Sequence, residues 1–285
     1  MTVLAVAWLG LVAVPRAEAA DPVLLGAGDI SGCQTVGDAA TAALVGNTPG
    51  GVFTLGDNAY ESGTANEFAG CFGPTWGRFK GRIRPAVGNH EYLSPGATPY
   101  FNYFGSAAGP RGKGWYSYNV GAWHVIVLNA NCDQVGCQKG SEQEKWLRAD
   151  LAAHASARCT LAYWHQARFV SDTNHGSTAQ VGPFWDALYQ YGADLVLSAH
   201  AHVYERFAPQ TPQGRADPAR GIREIVAGTG GESHYGFGTA LPNSQVRNAS
   251  TFGVLKLTLH RNTYDWRFLP AFGKGFSDSG TGTCH

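Results

Sequence analysis

Five times along this chain a short apolar run stops at side chains able to coordinate an ion or move a proton. The runs are "GAGD" at Asp29, "TLGDNAY" at Asp57 and Tyr60, "AVGNHE" at Asn89, His90 and Glu91, "LAYWHQ" at His165, and "LSAHAH" at His200 and His202. This recurrence constrains the fold more than any other feature. Apolar runs this short, bounded by Gly and polar residues, read as buried strands. Asp29 and Asp57 are 57 − 29 = 28 residues apart, close to one strand–helix–strand unit of roughly 30 residues. In open α/β sheets, sites form beyond the carboxyl ends of the strands. Five such ends therefore gather these residues into one crevice. Oxygen and imidazole donors without thiolate suit zinc, manganese or iron. They outnumber the needs of one ion, so two metal ions are expected.

The remaining segments fit that frame. "TVGDAATAALVGN" reads as a helix ended by Gly and Asn. "WYSYNVGAWHVIVLNAN" reads as two antiparallel strands about a Gly-Ala turn. "SEQEKWLRADLAAH" is a helix opened by a capping box, Ser141 with Glu144. "CTLAYWHQ" is a strand, "VGPFWDALYQYG" a helix, and "ADLVLSAHAH" a strand on which His200 and His202 alternate and share a face. "IREIVAGTGG" and "TFGVLKLTLHRNTYDWRFLP" supply further strands. Parallel units together with hairpins give an α/β (α+β) class: two packed mixed β-sheets flanked by helices, in one domain over 21–285.

Charge sets limits on partners. Twenty-one basic residues balance 21 acidic ones, so no nucleic-acid partner is expected. Residues 1–20 read as a secretory signal peptide: their apolar core is too short to span a bilayer, and small residues precede Asp21. No Lys or Arg precedes that core, and a buried first helix is the competing reading. The protein is thus expected outside the cell, without a membrane span. Six cysteines suit export. The favoured pairing is Cys132–Cys137 as a local loop, with Cys33–Cys71 and Cys159–Cys284 as long-range links. No Cys-x-x-Cys occurs, which argues against a zinc knuckle. Oligomeric state is not legible.

Each polar position alone has a plainer reading. Asp57 with Asn58 is an ordinary turn, Tyr60 a packing residue, and His165 a core histidine. In their order, however, "GDIS", "GDNAY", "GNHE", "AYWH" and "AHAH" resemble the five blocks of the calcineurin-like metallophosphoesterases, and among them those of the purple acid phosphatases. "YER" and "AGTGG" further on resemble that family too. The likeness runs from about Leu24 to Phe268. Three positions depart from the pattern: Ser31 stands in place of Gly, Ala162 in place of Val and Ala199 in place of Gly.

The resemblance implies a four-layer αββα sandwich, without the extra N-terminal domain of the large plant enzymes. It implies a secreted two-metal phosphatase acting on small phosphate monoesters by attack of metal-activated hydroxide. One ion falls to Asp29, Asp57, Tyr60 and His202. The other falls to Asp57, Asn89, His165 and His200, with Asp57 bridging. The implied pair is Fe(III) with a divalent Fe, Zn or Mn. His90 faces the substrate, and Glu91 orients His90 or a ligand. His175 is either a second substrate-facing histidine or an exposed loop residue. Many diesterases of the superfamily carry a metal-binding His where Ser31 stands, so a monoester preference is expected. The alternatives are a metal-dependent phosphodiesterase of the same superfamily and a non-catalytic metal- or phosphate-binding protein.

Overall fold

The computed structural model describes residues 20–273 and 275–285. All of the expected signal segment except Ala20 lies outside the described residues. Three of the five anticipated strands, β1 (Val23–Ala27), β2 (Gly51–Leu55) and β3 (Ile83–Ala86), lie side by side in parallel. The antiparallel β11 (Gly253–Leu259), β12 (Thr263–Pro270) and β13 (Ser279–Thr283) extend them into a six-stranded sheet, ordered β13-β12-β11-β1-β2-β3. The registers Ala27↔Thr54 and Leu55↔Ala86 keep the three carboxyl ends nearly level. The loops bearing Asp29, Asp57 and Asn89 consequently leave one sheet edge together.

The other two runs become β6 (Cys159–Gln166) and β7 (Leu195–Ala199). They are the centre of a seven-stranded sheet. Its other members are β4 (Tyr116–Val120), β5 (Trp123–Val127), β8 (Tyr204–Phe207), β9 (Arg223–Ala227) and β10 (Ser244–Asn248), in the order β10-β8-β9-β7-β6-β5-β4. β5, β6, β7 and β9 run parallel. Between β6 and β7 the pairing passes from Tyr163↔Leu197 to Gln166↔Ala199. One extra residue is thus inserted on β6 next to His165, a bulge of the kind that re-aims a side chain.

Two-residue alternation sorts the strands into layers. Leu24, Phe53, Leu161, Tyr163 and Leu197 meet between the sheets. Leu25 and Val52 face the outer layer, where Ala42 and Val45 of the helix Gly37–Gly46 pack. Ala162, Trp164 and Val196 face Leu147 and Trp185, from the helices Glu142–Ala153 and Gly182–Gln190. The order of layers is helix, sheet, sheet, helix. Both faces of the parallel strands are covered, which is why they read as unbroken apolar runs. Each fully buried Leu or Phe contributes about 1.5–3 kcal/mol.

Two local expectations are corrected. β7 stops at Ala199, so His200 and His202 do not alternate along a strand. Both lie in the bend that follows, at φ +72° and +47°. The His200 N–H donates to Asp29 Oδ2 at 2.9 Å, which takes the backbone out of the β ladder. The capping box is half formed. Ser141 Oγ accepts the Glu144 N–H at 3.2 Å, but the Glu144 carboxylate accepts from the Gly140 N–H at 2.9 Å and from Arg148. The disulfides are Cys33–Cys71, Cys132–Cys137 and Cys159–Cys284, the pairing the sequence favours. Among the described residues no helix is long and apolar enough to cross a membrane.

Candidate metal centre

Asp29 and Asp57 each sit two residues beyond a strand, both buried, at φ +56° and +49°. With His200 and His202, four of the seven candidate ligands occupy left-handed backbone. Non-glycine residues pay for that conformation, and such strain clusters at functional sites. The carboxylates also need room. A Cβ on Gly88 would lie 2.1 Å from Asp57 Oδ1, and one on Gly228 would lie 2.3 Å from Asp29 Oδ2.

All the anticipated ligands converge. The Tyr60 hydroxyl lies 3.0 Å from Asp29 Oδ1, 3.0 Å from Asp57 Oδ2 and 3.1 Å from His202 Nε2. His165 Nε2 lies 3.0 Å from Asp57 Oδ2, 3.0 Å from Asn89 Oδ1 and 3.2 Å from His200 Nδ1. Asp57, His165 and His200 each offer one ligand atom within 4.8 Å of the others.

Proton counting tests whether such a cluster suits cations. His165 Nδ1 is 2.8 Å from the Leu55 carbonyl oxygen, which can only accept, so Nδ1 bears a hydrogen. In the neutral ring the Nε2 lone pair then faces two oxygens and a nitrogen. Likewise, one phenolic hydrogen on Tyr60 cannot serve two carboxylates and an imidazole. Lone pairs outnumber protons around Tyr60, and around His165 they do so whenever its ring is neutral. Bound cations relieve that shortage, and a set of carboxylate, phenol, amide and imidazole donors suits first-row metals. The residues therefore fit two metal ions.

The titration shifts reflect the same crowding. Burial alone would raise the Asp57 carboxyl, but the charge and hydrogen bond of His165, aided by His90 and His200, hold it well below the usual carboxylate range. Burial pulls His165 down, yet Asp57 and Asp29 outweigh it and lift the imidazole to about 9. Burial with His165 and His175 alongside pushes His200 far down. Burial and the two aspartates keep the Tyr60 phenol well above its ordinary value.

His90 stands at the rim, a quarter exposed, its ring 4.3 Å from that of Tyr60. Its Nδ1 is 2.6 Å from the Glu61 carbonyl oxygen, and its backbone N–H donates to Asp57 Oδ1 at 2.9 Å. Glu91 does not reach the His90 ring among its hydrogen bonds. Its buried carboxylate accepts the N–H groups of Asn58 (2.7 Å), Gly88 (2.7 Å), Asp57 (3.1 Å) and Ala59 (3.3 Å), bracing the loop that carries Asp57. Burial and the Asp57 charge push Glu91 up to about 7, against those N–H groups. His175, exposed, stacks on the His200 ring with centroids 4.0 Å apart. Ser31 turns away: its Oγ donates to Asp38 Oδ2 at 2.6 Å.

Three supporting residues escape sequence reasoning. Ser233 Oγ lies 2.7 Å from His202 Nδ1, and the Tyr235 ring stacks on His202 at 4.2 Å. Asp172 accepts the N–H groups of Asn174, His175 and Gly176 at 2.8–2.9 Å, which holds the His175 loop. The signal for the first two is "GGESHYG", beginning three residues past the end of β9, and for the third an Asp two residues ahead of "NHG".

A family model described as calcineurin-like phosphoesterase matches residues 24–204. The chain is 28% identical over 223 residues to Purple acid phosphatase 15 of Arabidopsis thaliana, covering 66% of this chain and 41% of that relative. It is 30% identical over 200 residues to Purple acid phosphatase 18 of the same plant, covering 64% and 45%. Among solved structures it is similar to purple acid phosphatase PPD1 from yellow lupin (Lupinus luteus) seeds, with a TM-score of 0.76, 18% identity, and coverage of 93% of this chain and 54% of that one. At that identity the likeness is one of fold. The matches span less than half the length of these two curated relatives.

Proposed function

The chain belongs to the calcineurin-like phosphoesterase family, and from that premise we propose that it is an exported two-metal phosphatase of small phosphate monoesters. The observation that carries this reading is the convergence of Asp29, Asp57, Tyr60, Asn89, His165, His200 and His202, with more lone pairs than protons, beneath a partly exposed His90. Asp29, Asp57, Tyr60 and His202 would hold one ion. Asp57, Asn89, His165 and His200 would hold the other. Tyr60 and two carboxylates suit a trivalent ion such as iron, while the amide and imidazoles suit a divalent one. When bound, the two ions would supply charge neutralisation at the phosphoryl group and activation of the attacking water.

The chain's own groups do the rest. The His90 N–H donates to the Asp57 carboxylate, and the Glu91 carboxylate accepts the Asp57 backbone N–H, so both ends of that residue are held. His90 Nδ1–H donates to the Glu61 carbonyl, which leaves Nε2, 3.9 Å from Asp57 Oδ2, as the end that can pass a proton to the leaving oxygen. His175, stacked over His200, would be the second substrate-facing histidine. Ser31 lacks an imidazole and is tied to Asp38, which supports monoesters over diesters. Three disulfides support export.

The test is hydrolysis of p-nitrophenyl phosphate and of its bis ester by metal-loaded protein. Turnover of the monoester, abolished in Asp57→Asn, is expected. A tenfold or larger preference in kcat/KM for the diester, about 1.4 kcal/mol, would overturn the monoester assignment. Absence of turnover from about pH 4 to 9 would leave a binding protein.

A further inference from the structure

Beside Asn89 the surface opens into a groove of about 260 Å³. Five carboxamide residues line it: Asn89, Asn131, Gln134, Gln166 and Gln180. Tyr92 and Leu93 add an apolar wall. Asp133 is its one charged lining residue, and no Lys, Arg or His is among them.

The amides are organised rather than scattered. Asn129 Nδ2 donates to the Tyr92 hydroxyl at 2.8 Å, Asn131 Nδ2 to Asn129 Oδ1 at 2.9 Å, and Gln166 Nε2 to Asn131 Oδ1 at 3.2 Å. This chain ends at Gln166 Oε1, a buried acceptor without a hydrogen-bond partner among the described residues. Carboxamides offer donors and an acceptor without charge, which is the complement of a hydroxyl group. A further phosphate in the groove would find no cation and would face the Asp133 carboxylate. The volume lies below the roughly 300–1,000 Å³ of drug-sized sites, so the occupant is small.

We propose that this groove receives the leaving alcohol of the ester and selects a small, uncharged, polyhydroxylated one, a sugar-like alcohol, over alcohols that carry further phosphates. The inference rests on the phosphatase reading above and names its substrate class. Because the groove begins at Asn89, an ester held at the candidate metal centre has its alcohol within reach of the amides.

The test compares kcat/KM for a hexose 6-phosphate and the corresponding hexose 1,6-bisphosphate. The natural protein is expected to favour the monophosphate at least tenfold. Gln134 and Gln180 are exposed, so the double variant Gln134→Lys/Gln180→Lys should fold and place two cations on the groove. It is expected to lower the preference at least threefold. A natural ratio near or below one, or a ratio unmoved in the variant, overturns the assignment. p-Nitrophenyl phosphate separates the two levels: if it is turned over and the ratio fails, the groove assignment alone falls. If it is not turned over, the phosphatase reading falls, and the same ratio is then taken from dissociation constants of the two sugar phosphates by titration calorimetry, with the same thresholds deciding.

Discussion

Replacing Glu91 by Gln is the sharpest probe of how the metal-type cluster is held. The Glu91 carboxylate is fully buried and accepts four backbone N–H groups, two of them at 2.7 Å, from Asn58 and Gly88. At pH 8, above the value of about 7 to which burial and Asp57 push it, the group is ionised. In Glu91→Gln the amide NH₂ must replace one carboxylate oxygen. If Oε1 is retained toward Asn58 and Ala59, the NH₂ faces the N–H groups of Asp57 and Gly88, donor against donor. Each buried donor so stranded costs about 1–3 kcal/mol, giving about 2–6 kcal/mol for the two. For chains near this size that is a loss of about 4–24 °C in Tm. Because the same loop presents Asp57, metal affinity is expected to fall about 10–100-fold. Differential scanning calorimetry of metal-free protein at pH 8 and a metal titration measure the two effects separately. A variant that melts within about 2 °C of its parent and binds metal equally well would refute the bracing role.

Three further outcomes are expected. His90→Ala should lower kcat about 10²–10⁴-fold, the usual worth of a positioned proton donor, with metal content unchanged by elemental analysis; loss of an ion would make His90 a ligand. Iron-loaded protein should show a visible phenolate-to-metal band that Tyr60→Phe abolishes while the circular dichroism spectrum stays the same; persistence of the band would assign the chromophore elsewhere. Asp278 is opposed by burial, but the Arg206 hydrogen bonds at 2.6 and 3.1 Å, with Tyr204 and Trp266, hold it below the usual range. A depressed folded-state carboxyl contributes stability above the unfolded value of about 3.9 and loses it as pH falls through the folded one. Acid unfolding should therefore lose part of its steepness in Asp278→Ala, at a cost near neutrality of about 3 kcal/mol. An unchanged denaturant midpoint would count against the buried pair.

The sequence by itself determined the layers and the candidate site's inventory. Strand runs such as "LVLSA" are buried at every position, and apolar at all but Ser198, because both sheet faces are covered, and that signal is local. The residue types after each run, Asp, Tyr, Asn and His, were legible for the same reason, since a turn beyond a buried strand has little cause to collect them. Tertiary structure alone decided how these residues meet. The bend after Ala199 is set by the bond from the His200 N–H to Asp29, 171 residues away in sequence, so the alternation read from "HAH" had no means of foreseeing it. The bulge that aims His165 depends on the β6–β7 register, a property of two strands rather than one. The duty of Glu91 was hidden because its partners are backbone N–H groups, mostly of Asp57–Ala59, and a backbone donor leaves no mark in residue identity. The amide-lined groove is likewise assembled from Asn89, the 130–134 segment, Gln166 and the 178–180 loop. Periodicity reports what one segment buries, and a site made by several segments exists only once the long-range contacts have formed.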